Sequence, residues 1–257
     1  NTYNGVNVRS GAGIANAIVG KILNGTEIGS VTGGTVGIGN RSGMTIDIII
    51  DNSKIGTVVG NSSSGIGLDS AGNATIEITG STIDFATGKN GAGIGYGNGF
   101  GSMVEMKIYD STIGEAIGSN GGAGIGGSLG HLTIDLANSI IRKALGSTNA
   151  SGKGGAGIGT AAANGSYAVV NIKNTDINEA AGGAGAAGIG GGYYGTGEVT
   201  ITGGKITARA GETVSGMNAP YAIGNGAWLP QRPSYGKTTI NGKDGDTIVN
   251  ALASDLE

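Results

Sequence analysis

In the stretch TIEITGSTIDFATG (residues 75–88), apolar side chains alternate with polar ones, break at Gly80 and resume at Ile83. Period-two alternation puts Ile76 and Ile78 on one face and Thr75 and Glu77 on the other, which predicts a half-buried strand. The pattern recurs as IDIIIDNSKI, VEMKIYDSTI, LTIDLANSII, VVNIKNTDI and EVTITGGKI. In each copy an apolar residue is followed five positions later by isoleucine: Ile50 with Ile55, Ile78 with Ile83, Ile108 with Ile113, Leu136 with Ile141, Ile172 with Ile177, and Ile201 with Ile206. Ten positions after the first member stands a glycine, at Gly60, Gly88, Gly118, Gly146, Gly182 and Gly211. A further anchor, the isoleucine of a GIG-like core, falls at Ile14, Ile38, Ile66, Ile94, Ile125, Ile158, Ile189 and Ile223, at spacings of 24 to 34 residues. Six units agreeing at three anchors define a repeat, and each unit predicts three short strands separated by turns.

The turn between the second and third strands carries Asn52, Gly80, Asp110, Asn138, Asn174 or Gly203 at one equivalent position. These residue types tolerate positive φ, so one left-handed residue is expected at each corner. A unit of about 30 residues with three strands and no helix predicts one rung of a parallel β-helix, which buries its apolar face only by stacking on the next. The expected architecture is all-β: a single-stranded β-solenoid of about seven rungs, roughly 35 Å long at the usual inter-strand spacing. The short Asn-type corner favours a right-handed coil. One solenoid domain is expected over residues 1–257, with rungs from about 11 to 250 and the spacing variation absorbed by loops such as SNGG, STNASGKGG and ETVSGMNAPY. In GGAGIGG (121–127), Ile125 and Ala123 are expected to point inward. Gly124 and Gly126, with Gly93/Gly95, Gly157/Gly159 and Gly188/Gly190, would then form two outward columns of bare backbone.

Composition narrows the picture. Glycine contributes 57 residues against 3 prolines, without a G-X-Y period, which excludes collagen. Hydrophobic residues make up 38%, enough for a core rather than a disordered chain. The 15 basic and 18 acidic residues give a net charge of −3 with no basic tract, so no nucleic-acid partner is expected. There is no cysteine, hence no disulfide and no thiolate metal site. No apolar run reaches the length of a membrane-spanning helix, and no membrane insertion is expected. The chain opens NTYNGVNVRS, and its final Leu256-Glu257 reads as a cloning scar, so a segment excised from a longer protein is expected.

The pattern GAGIG…G…TI-x-I-x-N-S-x-I-x-x-x-x-G resembles the glycine-rich parallel β-helix repeats of bacterial cell-surface and adhesin-like proteins. It is loosely similar to the GGAI repeats of polymorphic autotransporter passengers, whose regular F-x-x-N element is absent here. The resemblance covers roughly residues 11 to 250. It implies a right-handed coil, secretion or display on a bacterial surface, and a stalk or binding role, and it brings no catalytic motif.

Candidate chemistry is sparse. GIGYGNG and GGAGIGG match a dinucleotide-binding fingerprint loosely, but no helix follows and the motif recurs in nearly every rung, so the glycines are structural. His131 is the only histidine and has no cysteine or second histidine to complete a triad or zinc site; it is expected at a loop end on the surface. Along the second strand one outward column runs Ile49, Glu77, Lys107, Asp135, Asn171, Thr200 and Thr239. Its neighbour runs Asp47, Thr75, Glu105, Thr133, Val169, Glu198 and Lys237. Glu77 and Asp135, two rungs apart, have roughly the carboxylate separation of an inverting glycosidase, though a charge ladder with Lys107 bridging the two acids explains them as well. The Asp51-Asn52 and Asp110 corners lack the clustering of a calcium site. Neither a cofactor nor a metal is expected.

The aromatic residues carry more. Tyr96, Phe100, Tyr193, Tyr194, Trp228 and Tyr235 fall in the loops after GIG, with Tyr167 at a loop end. Loops of a solenoid project along one edge, where tyrosine and tryptophan suit stacking on a sugar or anchoring a protein; capping and local packing are the alternative. The expected function is a non-enzymatic module of an adhesin or stalk that binds a host protein or glycan through these aromatics. A polysaccharide lyase or hydrolase of pectin-lyase-like shape, using Glu77, Glu105 and Asp135, and a purely structural spacer are the alternatives. Ice binding is remote, since no regular outward Thr-x-Thr array is present.

Overall fold

The computed structural model describes residues 2–3, 6–7, 19–22, 25–40, 45–69, 72–97, 100–127, 129–229, 236–240 and 247–252. Among them every strand pairing is parallel, apart from one isolated antiparallel bridge between Thr148 and Gly154. The strands form three sheets, and each strand bonds to its equivalent one coil earlier and one coil later. The first sheet has seven short strands, beginning at Ile38, Ile66, Ile94, Ile125, Ile158, Ile189 and Ile223. The second has eight, from Val19–Ile22 to Thr238–Ile240, and the third has ten, including the short Thr2–Tyr3 and Val6–Asn7. This is the expected β-solenoid. The anchor Ile14 lies outside the described residues.

The register follows the repeat. Ile50, Ile78, Ile108, Leu136, Ile172 and Ile201 stack in the second sheet. Ile55, Ile83, Ile113, Ile141, Ile177 and Ile206 stack in the third. All are buried in one continuous core running the length of the coil. Parallel strands with every rung in register satisfy the backbone groups between rungs, while a one-residue slip would turn each ladder to solvent.

At each corner the expected residue takes positive φ: Asn52 at 43°, Gly80 at 56°, Asp110 at 50°, Asn138 at 50°, Asn174 at 47° and Gly203 at 78°. The residue after it completes the corner. Ser53, Ser81, Ser111, Ser139 and Thr175 are all buried. The backbone N–H of Ser53 donates to Ser81 Oγ at 3.0 Å, Ser81 to Ser111 Oγ at 3.1 Å, Ser111 to Ser139 Oγ at 3.1 Å, and Ser139 to Thr175 Oγ1 at 3.3 Å. Each hydroxyl in turn donates to the carbonyl two residues back, as Ser111 does to Tyr109 O at 2.6 Å. A buried N–H without a partner costs about 1–3 kcal/mol, and this hydroxyl file prevents that cost at four successive corners.

The glycine columns do not face outward. Gly93, Gly95, Gly124, Gly126, Gly157, Gly159, Gly188 and Gly190 are all buried. A Cβ on Gly124 would lie 2.4 Å from Leu145 N and 2.7 Å from Ala116 O, which belong to the third strands of its own rung and the one before. The second glycine of each core, from Gly39 to Gly224, takes a φ of 125° to 139°. A Cβ on Gly126 would stand 1.9 Å from Gly159 O. What lies against the glycine strip is therefore the protein's own backbone. The first and third sheets close on each other through backbone at Gly124, while at Gly37 the Val58 side chain shares the contact. The inward residue opposite is Val31 and then Val58 at the start of the coil and alanine thereafter, at Ala86, Ala116, Ala144, Ala180 and Ala208, all buried. Ala123 is buried.

Gly126→Ala combines a forbidden φ with a backbone collision and is expected to cost more than about 3 kcal/mol in urea unfolding. Gly165→Ala, at φ 78° with open space around it, should cost only about 1 kcal/mol. At the corner, Ser111→Ala strands the Ser81 N–H and should lower stability by about 1–3 kcal/mol. Ser111→Thr, the residue already present at Thr175, should preserve most of the unfolding midpoint.

Candidate functional site

The loop GIGGGYYGTG (188–197) follows the first-sheet strand Ile189–Gly190 and reverses the chain into the second sheet. Its turn is closed by Gly195 N donating to Gly192 O at 2.7 Å. Tyr194 occupies the third position of that turn at φ 60°, a place where glycine is the usual residue. The neighbouring loops hold it there: Tyr193 N donates to Gly154 O at 2.8 Å and Tyr194 N to Ala227 O at 3.1 Å.

Three of the six predicted aromatics meet here. The Tyr193 and Tyr194 rings lie 4.5 Å apart, edge to face at 66°. Tyr194 and Trp228 lie 5.7 Å apart at 69°. Trp228 Nε1 donates to Gly195 O at 3.1 Å across 33 residues of sequence, and the Tyr194 hydroxyl approaches Met217 Sδ at 3.7 Å. Lys153 sits 5.6 Å from the Tyr193 ring centre, in cation–π range. Tyr193 is buried, and that burial, helped by its hydrogen bond with Tyr194, holds its phenol above the ordinary value. Tyr194 and Trp228 are half-buried. Tyr193 thus belongs to the floor of the cluster, and the other two form its accessible face.

The remaining aromatics fall elsewhere. Tyr96 is fully buried in the core, stacked in register on Leu68. It therefore corrects the expectation of a loop-edge binding residue: two positions after Ile94, it shares that residue's inward face. That period-two relation is readable in the sequence. Phe100 opens the strand Phe100–Tyr109 and pairs in register with Leu129; its side chain, and Tyr235 altogether, lie outside the described residues.

His131 is exposed, but it lies within the strand Leu129–Ala137 rather than at a loop end. Its ring packs 5.3 Å from that of Tyr167 on the next rung. The Tyr167 hydroxyl donates to Glu198 one rung further on, and that bond, with some burial, raises the phenol above its usual value.

The outward columns of the second sheet have the expected register, but Lys107 does not bridge Glu77 and Asp135. Its Nζ pairs instead with Glu105 at 2.8 Å, two residues back on the same strand face. The hydrogen bond to Glu105 is the main cause of the raised Lys107 pKa, with Glu77 a lesser one. Asp135 accepts from Asn171 Nδ2 on the next rung at 2.7 Å. Two of the three candidate carboxylates are thus tied to neighbours on the face itself. Among the described residues, no group of three or more His, Asp or Glu side chains could hold a metal ion, and no helix is long and apolar enough to cross a membrane.

No family model, curated protein or solved structure matches the chain. The parallel β-helix itself is compatible with catalytic and non-catalytic chains alike, and function lies in the sites it carries.

Tyr167 offers a direct check of the second-sheet face. Because its folded pKa is raised, the contact with Glu198 stabilises the fold below the ordinary phenol range and fades as pH rises through the folded value. Among the late-titrating phenols seen by tyrosinate absorbance, one should be lost in Tyr167→Phe and should move back toward pH 10 in Glu198→Gln.

Proposed function

We propose that this chain is a non-enzymatic β-solenoid module displayed on a bacterial surface, where its loop edge binds a host protein or glycan. The observation that carries this reading is Tyr194. A bulky residue at φ 60° costs about 1–3 kcal/mol that glycine would avoid, and such strain concentrates at functional sites. Here it turns a half-buried ring toward the Trp228 ring, on the accessible side of a cluster anchored by Tyr193 and Lys153. Aromatic area of this kind, held by its own backbone and with polar tips, is the chemistry of a binding anchor.

The polysaccharide-active alternative draws less support, because Glu105 and Asp135 are engaged with Lys107 and Asn171. A purely structural spacer leaves the position of Tyr194 without a reason. The resemblance to adhesin-like repeats supplies the cellular setting of the proposal.

Tyr194→Gly separates binding from folding, since glycine suits the turn and removes only the ring. The unfolding midpoint should change little, while binding on a panel of host glycans and extracellular proteins should fall about tenfold or more. A panel on which the intact chain binds nothing would remove the proposal, as would equal binding by the Tyr194→Gly variant.

A further inference from the structure

The outward face of the third sheet carries a shallow groove of about 490 Å³ that lies on other elements than the aromatic loop edge. Two side-chain columns line it. One residue after each inward isoleucine come Asp84, Gly114, Arg142 and Asn178; two residues after come Phe85, Glu115, Lys143 and Glu179. The groove therefore crosses four rungs, about 14 Å at the usual strand spacing.

Three features set this stretch apart from the rest of the coil. Phe85, in register with the polar Thr57 and Glu115, places an aromatic ring in that outward column, and the ring is half-buried. Gly114 leaves bare backbone between Asp84 and Arg142, and its Cβ position is only 2.2 Å from Asp84 O, so no side chain can fill that gap. Finally, Asp84, Arg142 and Asn178 are exposed, and no hydrogen bond or ion pair engages their side chains among the described residues. The other charges are used: Lys143 pairs with Glu115 at 3.2 Å and Arg209 with Glu179 at 3.6 Å.

We infer that this groove binds an uncharged oligosaccharide. Phe85 would stack on the apolar face of one sugar ring, while Asp84 accepts from its hydroxyls and Arg142 and Asn178 donate to hydroxyls further along. Charge selects the class of ligand. The lining holds three acids, Asp84, Glu115 and Glu179, against two bases, Arg142 and Lys143, and Arg209 pairs with Glu179 from outside it. A polyanion such as a uronate chain or nucleic acid would gain no net attraction and would meet three carboxylates. A neutral chain of hydroxyls uses both the free donors and the free acceptor. Its length along the groove matches a run of rungs rather than a single point.

The test is calorimetric titration with cellohexaose, mannohexaose and maltohexaose, with hexagalacturonate as the charged comparison. At least one neutral hexamer should bind saturably and more tightly than hexagalacturonate. Phe85→Thr, which copies Thr57 on the adjacent rung, should weaken that binding roughly tenfold, as loss of one stacking contact entails. Asn178→Ala alters only an exposed side chain and should weaken it as well, which keeps the test valid should Phe85→Thr fold poorly. Tyr194→Gly should leave it unchanged, so that failure of the loop-edge reading and failure of this one are told apart. The inference is overturned if none of the neutral hexamers binds, if hexagalacturonate binds more tightly, or if both groove variants bind like the parent chain.

Discussion

The whole coil depends on how closely two of its backbones approach. Between the first and third sheets Gly124 meets Leu145 N and Ala116 O directly, and within the first sheet Gly126 meets Gly159 O on the next rung. A Cβ at either place would fall well inside van der Waals contact, so one glycine per rung lets the cross-section close and a second lets the first-sheet strands stack. Dense glycine normally weakens strands. Here the loss is offset because the backbone groups so exposed are bonded rung to rung, and because alanine on the opposing strand completes a dry, flat contact.

The other side of the cross-section works differently. The isoleucine ladders fill the space between the second and third sheets, and each buried isoleucine contributes about 1.5–3 kcal/mol. The corner between those sheets cannot be filled with apolar groups, because it turns through a left-handed residue and leaves an N–H without a strand partner. The file of Ser and Thr hydroxyls supplies that partner from the next rung. Where the file stops, the sequence changes to Gly203-Gly204, and a Cβ on Gly204 would meet Thr175 O at 2.1 Å. Hydroxyl and glycine are thus two solutions to one crowded corner.

A fold so repetitive makes its exceptions informative. Tyr194 stands where a turn asks for glycine, and Phe85 stands in a column otherwise polar in its neighbours Thr57 and Glu115. Neither is needed for the ladders or the corners. Both present aromatic surface from rigid backbone, on which side chains are held in place before any ligand arrives, and this is the condition under which small contacts become specific.

Period and composition alone determined the solenoid, its three strands per rung, the isoleucine register and the positive-φ corners, because interior stacking forces equivalent residues to repeat. The inward turn of Tyr96 was legible too, from its two-residue spacing to Ile94. Period-two reasoning failed at the glycines next to Ile125, since it tells which way a side chain points but not how near another backbone comes. Only the tertiary structure decided that distance, and with it the burial of the glycine strip. It also decided that Lys107 pairs along its own strand with Glu105, and that Tyr193, Tyr194 and Trp228 converge while Tyr96 does not. Such meetings depend on loops of unequal length folding back across rungs. Loop geometry carries no repeat, and so the sequence holds no period from which it could be read.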